Sequence, residues 1–254
     1  MIIDTHSHIY LPEFDTDRAE MLARAENEGV RLVLMPAIDN QTHSIMFGVE
    51  EDFSGACRGM MGLHPCSVKE GYQEELKIVE DHLEQRKFVA VGETGLDFYW
   101  DRTFIKEQYE SFQMQIELAI HYDVPVVIHS RDSIDECIKV IGNKQNGNLK
   151  GVFHCFSGNI IQAKQIIELG FYLGIGGVIT FKNSGLDRVL ADVDMKHVIL
   201  ETDAPYLAPV PFRGKRNECS YLKYVVEKLS EIKNISKNEI EMVTTNNARN
   251  LFCL

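Results

Sequence analysis

Eight short apolar runs punctuate this chain, at residues 2–8, 30–36, 58–63, 88–92, 124–129, 150–154, 171–175 and 197–201. Each is compatible with a parallel strand buried on both faces. The stretches between them carry helical spacing. Residues 16–29 place Ala19, Leu22 and Ala23 in an amphipathic pattern and end on Gly29, a C-terminal stop. Phe112, Ile116, Ala119 and Ile120 share one helical face, and Ile160, Ala163 and Ile167 share another. Near the seventh run, Gly174, Gly176 and Gly177 suggest close backbone approach. Eight strand–helix alternations predict an α/β fold, a (β/α)8 TIM barrel. The length of 254 residues agrees with the roughly 250 typical of one such barrel. No linker, low-complexity segment or internal repeat interrupts the chain, so a single domain over 1–254 is expected. Residues 220–233 and 236–252 should complete the outer layer, with Ser236 and Glu239 in a capping-box pattern.

The ends of these runs carry the chemistry. The first closes on Ile2-Ile3-Asp4-Thr5-His6-Ser7-His8, and strand alternation would point His6 and His8 the same way. Later runs end on or run into His64, Glu93, His129, His154 and Glu201-Thr202-Asp203. Each residue has an ordinary alternative: a buried imidazole satisfied by a carbonyl, Glu93 opening a glycine-flanked turn, Asp203 capping a turn. In a parallel barrel, however, the loops after the strands gather at one end. There His6, His8, Glu93, His129, His154 and Asp203 would converge, and coincidence is a poor account of six such residues. Four imidazoles and two carboxylates are too many for one tetrahedral ion and suit two divalent ions bridged by a carboxylate. By softness, the imidazoles favour Zn or Mn.

Composition narrows the class. With 44% hydrophobic and 25% charged residues and no run long enough to span a bilayer, the chain reads as soluble, with no membrane association. No basic segment followed by an apolar one opens the sequence, and six cysteines lack CxxC spacing, so a cytoplasmic protein with reduced thiols is expected. Cys155 adjoins His154, but strand alternation should turn its side chain away from the site. A net charge of −12 argues against broad, nonspecific binding of duplex nucleic acid, though not against a phosphate-bearing substrate. Arg131 follows His129 by two, and Arg213, Lys215 and Arg216 crowd the segment after the eighth strand. That cluster is either a solvated loop or a set of phosphate-holding groups at the barrel mouth. Nothing points to an obligate protein partner.

Several stretches, in order, resemble the TatD family of metal-dependent deoxyribonucleases among the amidohydrolase-like barrels. They are Asp4-Thr5-His6-Ser7-His8, Gly62-Leu63-His64-Pro65, Gly92-Glu93-Thr94-Gly95-Leu96-Asp97, His154-Cys155-Phe156-Ser157-Gly158 and Glu201-Thr202-Asp203-Ala204-Pro205-Tyr206-Leu207. The likeness runs from Asp4 to Asn247-Ala248-Arg249-Asn250-Leu251-Phe252. It implies His6, His8 and Asp203 on one ion, Glu93 bridging, His129 and His154 on the second, and His64 contacting phosphate outside the ligand set. It also implies magnesium as the usual ion, DNA as substrate in the form of single strands or frayed 3′ ends, and 3′–5′ exonuclease action. Asp203, with Glu93 and His64, would carry catalysis; Arg131, Arg213 and Arg216 are candidates for the flanking phosphates. One departure is Cys219, where the family usually has proline after the glutamate, which frees the turn's φ. Two rival readings remain: an amide or ester hydrolase, including an aminoacyl-tRNA deacylase, and a metal-binding protein without catalysis.

Overall fold

The computed structural model describes all 254 residues. Its strands are β1 (Ile2–Asp4), β2 (Val30–Met35), β3 (Cys57–Gly59), β4 (Val91–Asp97), β5 (Val126–Arg131), β6 (Gly151–Phe153), β7 (Tyr172–Ile175) and β8 (Val198–Leu200). The helices are α1 (Arg18–Asn27), α2 (Asn40–Asp52), α3 (Tyr72–Gln85), α4 (Ile105–His121), α5 (Ile134–Lys144), α6 (Ile160–Glu168), α7 (Leu186–Asp192), α8 (Leu222–Lys233) and α9 (Lys237–Phe252). Neighbouring strands pair in parallel, in the orders β1-β2-β3 and β4-β5-β6-β7-β8. Backbone hydrogen bonds cross both seams. Gly92 donates to the Met61 carbonyl at 2.9 Å beside β4, while Thr5 donates to Leu200 and Asp203 to His6, each at 2.9 Å, between the ends of β1 and β8. The result is the TIM barrel that the eight-fold alternation predicts.

Several strands depart from their expected bounds: β3 stops at Gly59 and not at Leu63, β5 is shifted two residues onward, and β1 and β4 differ for identifiable local reasons. β1 stops at Asp4 rather than continuing to His8. The buried Asp4 carboxylate accepts from the Thr202 amide at 2.9 Å and its hydroxyl at 2.6 Å, so the chain beyond it bonds across the seam. His6 and His8 therefore reach the barrel mouth from a loop and not by strand alternation. β4 runs past Glu93 to Asp97, whose Oδ1 accepts the amides of Tyr99 and Trp100, both at 2.9 Å, and turns the chain.

The apolar interior divides into two clusters. Ile3, Leu34, Met60, Ala90, Val127, Val152 and Ile199, from seven strands or their flanks, form a buried cluster closed by Ala248, Leu251 and Phe252 of α9. A larger cluster fills the space between sheet and helices. Ser236 caps α9 by accepting from the Glu239 amide at 3.2 Å, the forward half of the expected capping box. No helix is long and apolar enough to cross a membrane.

His43 on α2 is buried beside Phe47 and His82, and neither ring nitrogen has a partner. Burial, with the adjacent His82, lowers its pKa to about 4. The unfolded chain therefore takes up this proton near pH 6.5 while the folded chain resists until about 4. Its contribution is intact above 6.5 and is lost as pH falls, at up to roughly 1.4 kcal/mol per unit. His43→Met should accordingly show a smaller fall in urea midpoint between pH 7 and pH 5 than the parent protein. Equal falls would remove His43 as a source of acid sensitivity.

Candidate metal centre

Glu93, 1% exposed, occupies the centre of the barrel mouth. Its Oε2 faces His6 Nε2 at 3.1 Å and His8 Nε2 at 3.5 Å. Its Oε1 faces His129 Nδ1 at 2.8 Å, His64 Nε2 at 3.4 Å and His154 Nε2 at 3.5 Å. Burial pushes this carboxyl's pKa up, but His64, His6, His154 and the hydrogen bond from His129 together hold it well below the carboxylate range. Asp203 Oδ1 lies 3.8 Å from both His6 and His8 Nε2, and burial raises its pKa to about 6.

Three overlapping groups have ligand atoms within 4.8 Å of one another: His6, His8 and Asp203; His6, Glu93 and His154; and His64, Glu93 and His129. Glu93 belongs to two of them, the position of a bridging carboxylate. His154 stacks on His6 with ring centroids 3.6 Å apart, and its centroid is 6.2 Å from that of His129.

Polar groups on the far sides of the rings bear on which nitrogen faces the centre. The Tyr10 hydroxyl donates to the Pro36 carbonyl at 2.7 Å, so it accepts from His8 Nδ1 at 3.0 Å and leaves the Nε2 lone pair facing the centre. Asp97 Oδ2 lies 2.8 Å from His129 Nε2, and Glu201 Oε1 lies 3.0 Å from His154 Nδ1. An acceptor behind the imidazoles of His8, His129 and His154 is the arrangement that orients metal-binding histidines. His64 is opposite in sense: its Nδ1 accepts the Cys66 amide at 3.0 Å, so the neutral ring carries its proton on Nε2 and presents a donor. Fully buried His6 has an unpartnered Nδ1, and burial lowers its pKa to about 4, which keeps the ring neutral at neutral pH with the lone pair of one ring nitrogen free. This donor set fits two divalent cations sharing Glu93.

Tyr10, Asp97 and Glu201 had no role in the sequence reading. Asp97 and Glu201 stand inside the quoted motifs, but their partners are remote in sequence. Gly174 makes room for Glu201, since a Cβ there would collide with its Oε2. Cys155 corrects an expectation. Its φ of +48° takes it out of strand alternation, and its Sγ joins His154 and Glu201 within 4.8 Å. Burial holds that thiol's pKa well above the ordinary value, which disfavours the thiolate.

A cleft of about 790 Å³ opens over the centre, lined among others by Trp100, Arg131, Tyr206, Arg213 and Lys215. Arg131 lies over the Tyr99 ring at 4.3 Å and Arg213 over the Phe181 ring at 4.1 Å. Arg216 is placed differently from its expected role beside the phosphates. Its guanidinium pairs with both Asp17 oxygens at 2.7 and 2.8 Å and lies over Phe14, anchoring the loop after β8 to the start of α1. The Cys219 side chain is buried, with Sγ 3.6 Å from Ser7 Oγ. A hollow of about 880 Å³ at the opposite end of the barrel, lined by Asp123, Asn148 and Lys150, gathers no comparable donor set.

Comparison with known proteins agrees with this architecture. The model of the TatD related DNase family matches residues 3–253. The chain is 37% identical over 255 residues to the uncharacterized metal-dependent hydrolase YabD of Bacillus subtilis, with 99% of each chain covered. It is 32% identical to the metal-dependent hydrolase YjjV of Escherichia coli, over 98% of this chain and 97% of that one. The crystal structure of YjjV, described as a TatD homologue, superposes with a TM-score of 0.94 over 100% of this chain and 98% of its own. A TatD family hydrolase from Entamoeba histolytica, 22% identical, shares the fold with a TM-score of 0.84 over 99% of this chain and 97% of its own. With its family model spanning nearly the whole sequence and full-length relatives on the same barrel, this chain belongs to the TatD family of metal-dependent hydrolases.

Proposed function

We propose that this chain is a deoxyribonuclease that hydrolyses phosphodiester bonds at the 3′ end of single-stranded or frayed DNA. The observation that carries this reading is the cationic rim of the cleft. Arg131, Arg213 and Lys215 line it, and no carboxylate pairs with any of their side chains, although the chain is strongly acidic. Arg24, Arg86 and Arg216, by contrast, are all paired with acids. Unpaired guanidinium and ammonium groups around a metal centre suit a substrate with phosphates on either side of the bond to be cut. An uncharged amide or ester would leave them without partners, whereas an aminoacyl-tRNA would also supply phosphates, and a comparison of substrates separates it.

Two divalent ions held by His6, His8, Glu93, His129, His154 and Asp203 would supply Lewis acidity and make hydroxide available at neutral pH. The protein's own groups do the rest. Asp203, whose Oδ1 lies 3.8 Å from His6 and His8 Nε2, accepts the proton of the attacking water. His64 Nε2–H donates to a non-bridging phosphate oxygen. Arg131 and Arg213, each laid on an aromatic ring, hold neighbouring phosphates in place.

The direct test is digestion of end-labelled single-stranded DNA by metal-stripped protein to which Mg, Mn or Zn is returned separately. Stripping should abolish cleavage while far-ultraviolet circular dichroism stays unchanged, and at least one ion should restore stepwise loss from the 3′ end. Cleavage of aminoacyl esters or cyclic amides with none of DNA would replace the nuclease reading. His64→Ala should keep most of the bound metal and lose much of the rate; loss of both ions would make His64 a ligand. Asp203→Asn retains a carbonyl oxygen for the ion but cannot take a proton. Single-turnover cleavage by that variant, at measured metal content, should fall by about 10²–10⁴. A near-normal rate at full occupancy would remove Asp203 from proton transfer.

A further inference from the structure

Trp100 is the single tryptophan of the chain and is 70% exposed. An indole carries more apolar surface than most side chains, and leaving it in water forfeits the gain from burying it. Its position is not that of a loose loop tip. The Trp100 amide donates to Asp97 Oδ1 at 2.9 Å, and the other oxygen of that carboxylate lies 2.8 Å from His129 Nε2. One buried side chain therefore fixes the backbone of Trp100 relative to an imidazole of the metal centre.

At this exposure most of the indole surface stays open to the cleft. Tyr99 packs against it in a T-shaped contact, with centroids 4.9 Å apart and planes at 87°, while the Tyr99 ring is itself covered by Arg131. Trp100 lines the same cleft as His64, Arg131 and Glu93. A flat apolar face beside an unpaired guanidinium matches a nucleotide, whose base stacks while its phosphate pairs.

We propose that Trp100 is a base-stacking residue that receives a nucleobase next to the bond being cut, held in register with the metal centre through Asp97. This rests on the nuclease reading and adds a specificity determinant to it. Stacking is available to unpaired bases and denied to those inside a duplex, so Trp100 would favour single-stranded over paired ends.

The test uses metal-loaded protein and two single-stranded oligodeoxynucleotides, one normal and one with abasic tetrahydrofuran residues at its two 3′-terminal positions. Trp100→Ala should raise KM for the normal strand on the order of 10-fold with little change in kcat. It should leave KM for the abasic strand unchanged, and Trp100→Phe should recover most of the loss. Because the tryptophan is unique, its emission reports the same contact without turnover: a slowly cleaved phosphorothioate oligothymidylate should quench it. Equal KM effects on both strands, or none on either, would overturn the proposal. Quenching without cleavage by the parent protein would keep the stacking site and remove the nuclease reading; cleavage without quenching would do the reverse. Emission that changes with protein concentration alone, and not with the oligomer, would assign the indole to self-association and overturn the proposal.

Discussion

A carboxylate buried at the mouth of the barrel is the constraint on which the rest of this structure depends. Glu93 is almost entirely removed from water, and a charge so placed persists only where paired groups replace its hydration. Five imidazoles do so, at 2.8 to 3.5 Å. They come from after β1, after β3, from β5 and from after β6, so they meet only if the barrel closes in register. The bonds from Thr5 to Leu200 and from Gly92 to Met61 fasten the two seams nearest the site. Closure and site assembly are thus the same event.

Around that centre, a second set of polar groups decides what each ring can do. Tyr10, Asp97 and Glu201 stand behind His8, His129 and His154, so these rings direct their other nitrogen inward. His64 has a backbone amide behind it and directs a proton inward instead. Histidines in similar positions thereby divide into rings that can present a lone pair to the centre and one that presents a proton, according to the group behind each. Below that centre the strands pack an apolar cluster that α9 closes with Ala248, Leu251 and Phe252.

Charge placement follows the same logic at larger scale. The chain is acidic as a whole, yet the rim of the metal cleft holds basic groups that no carboxylate neutralises. Aromatic rings position two of them without cancelling their charge, leaving it for a ligand. Arg216, a few residues from Arg213, is instead consumed by Asp17 and Glu218 and works as a strut for the loop.

The sequence by itself determined the alternation of strands and helices, and with it the barrel, because burial on both faces of a parallel sheet leaves a local apolar signature. It also determined the candidate ligand set, since His6, His8, Glu93, His129, His154 and Asp203 all lie at or just beyond the ends of apolar runs. What it could not carry were properties that depend on partners distant along the chain. Asp97 and Glu201 sit in legible motifs, but that each backs a particular histidine is decided 32 and 47 residues away. The expected strand through His8 ended early because Asp4 bonds to Thr202, 198 residues on. Arg213 and Arg216 look equivalent in sequence, and only the nearness of Asp17 makes one a strut and leaves the other free. Apolar periodicity is written locally because each residue faces the core for itself, whereas a hydrogen bond or ion pair needs two residues, and only the folded chain brings the second one near.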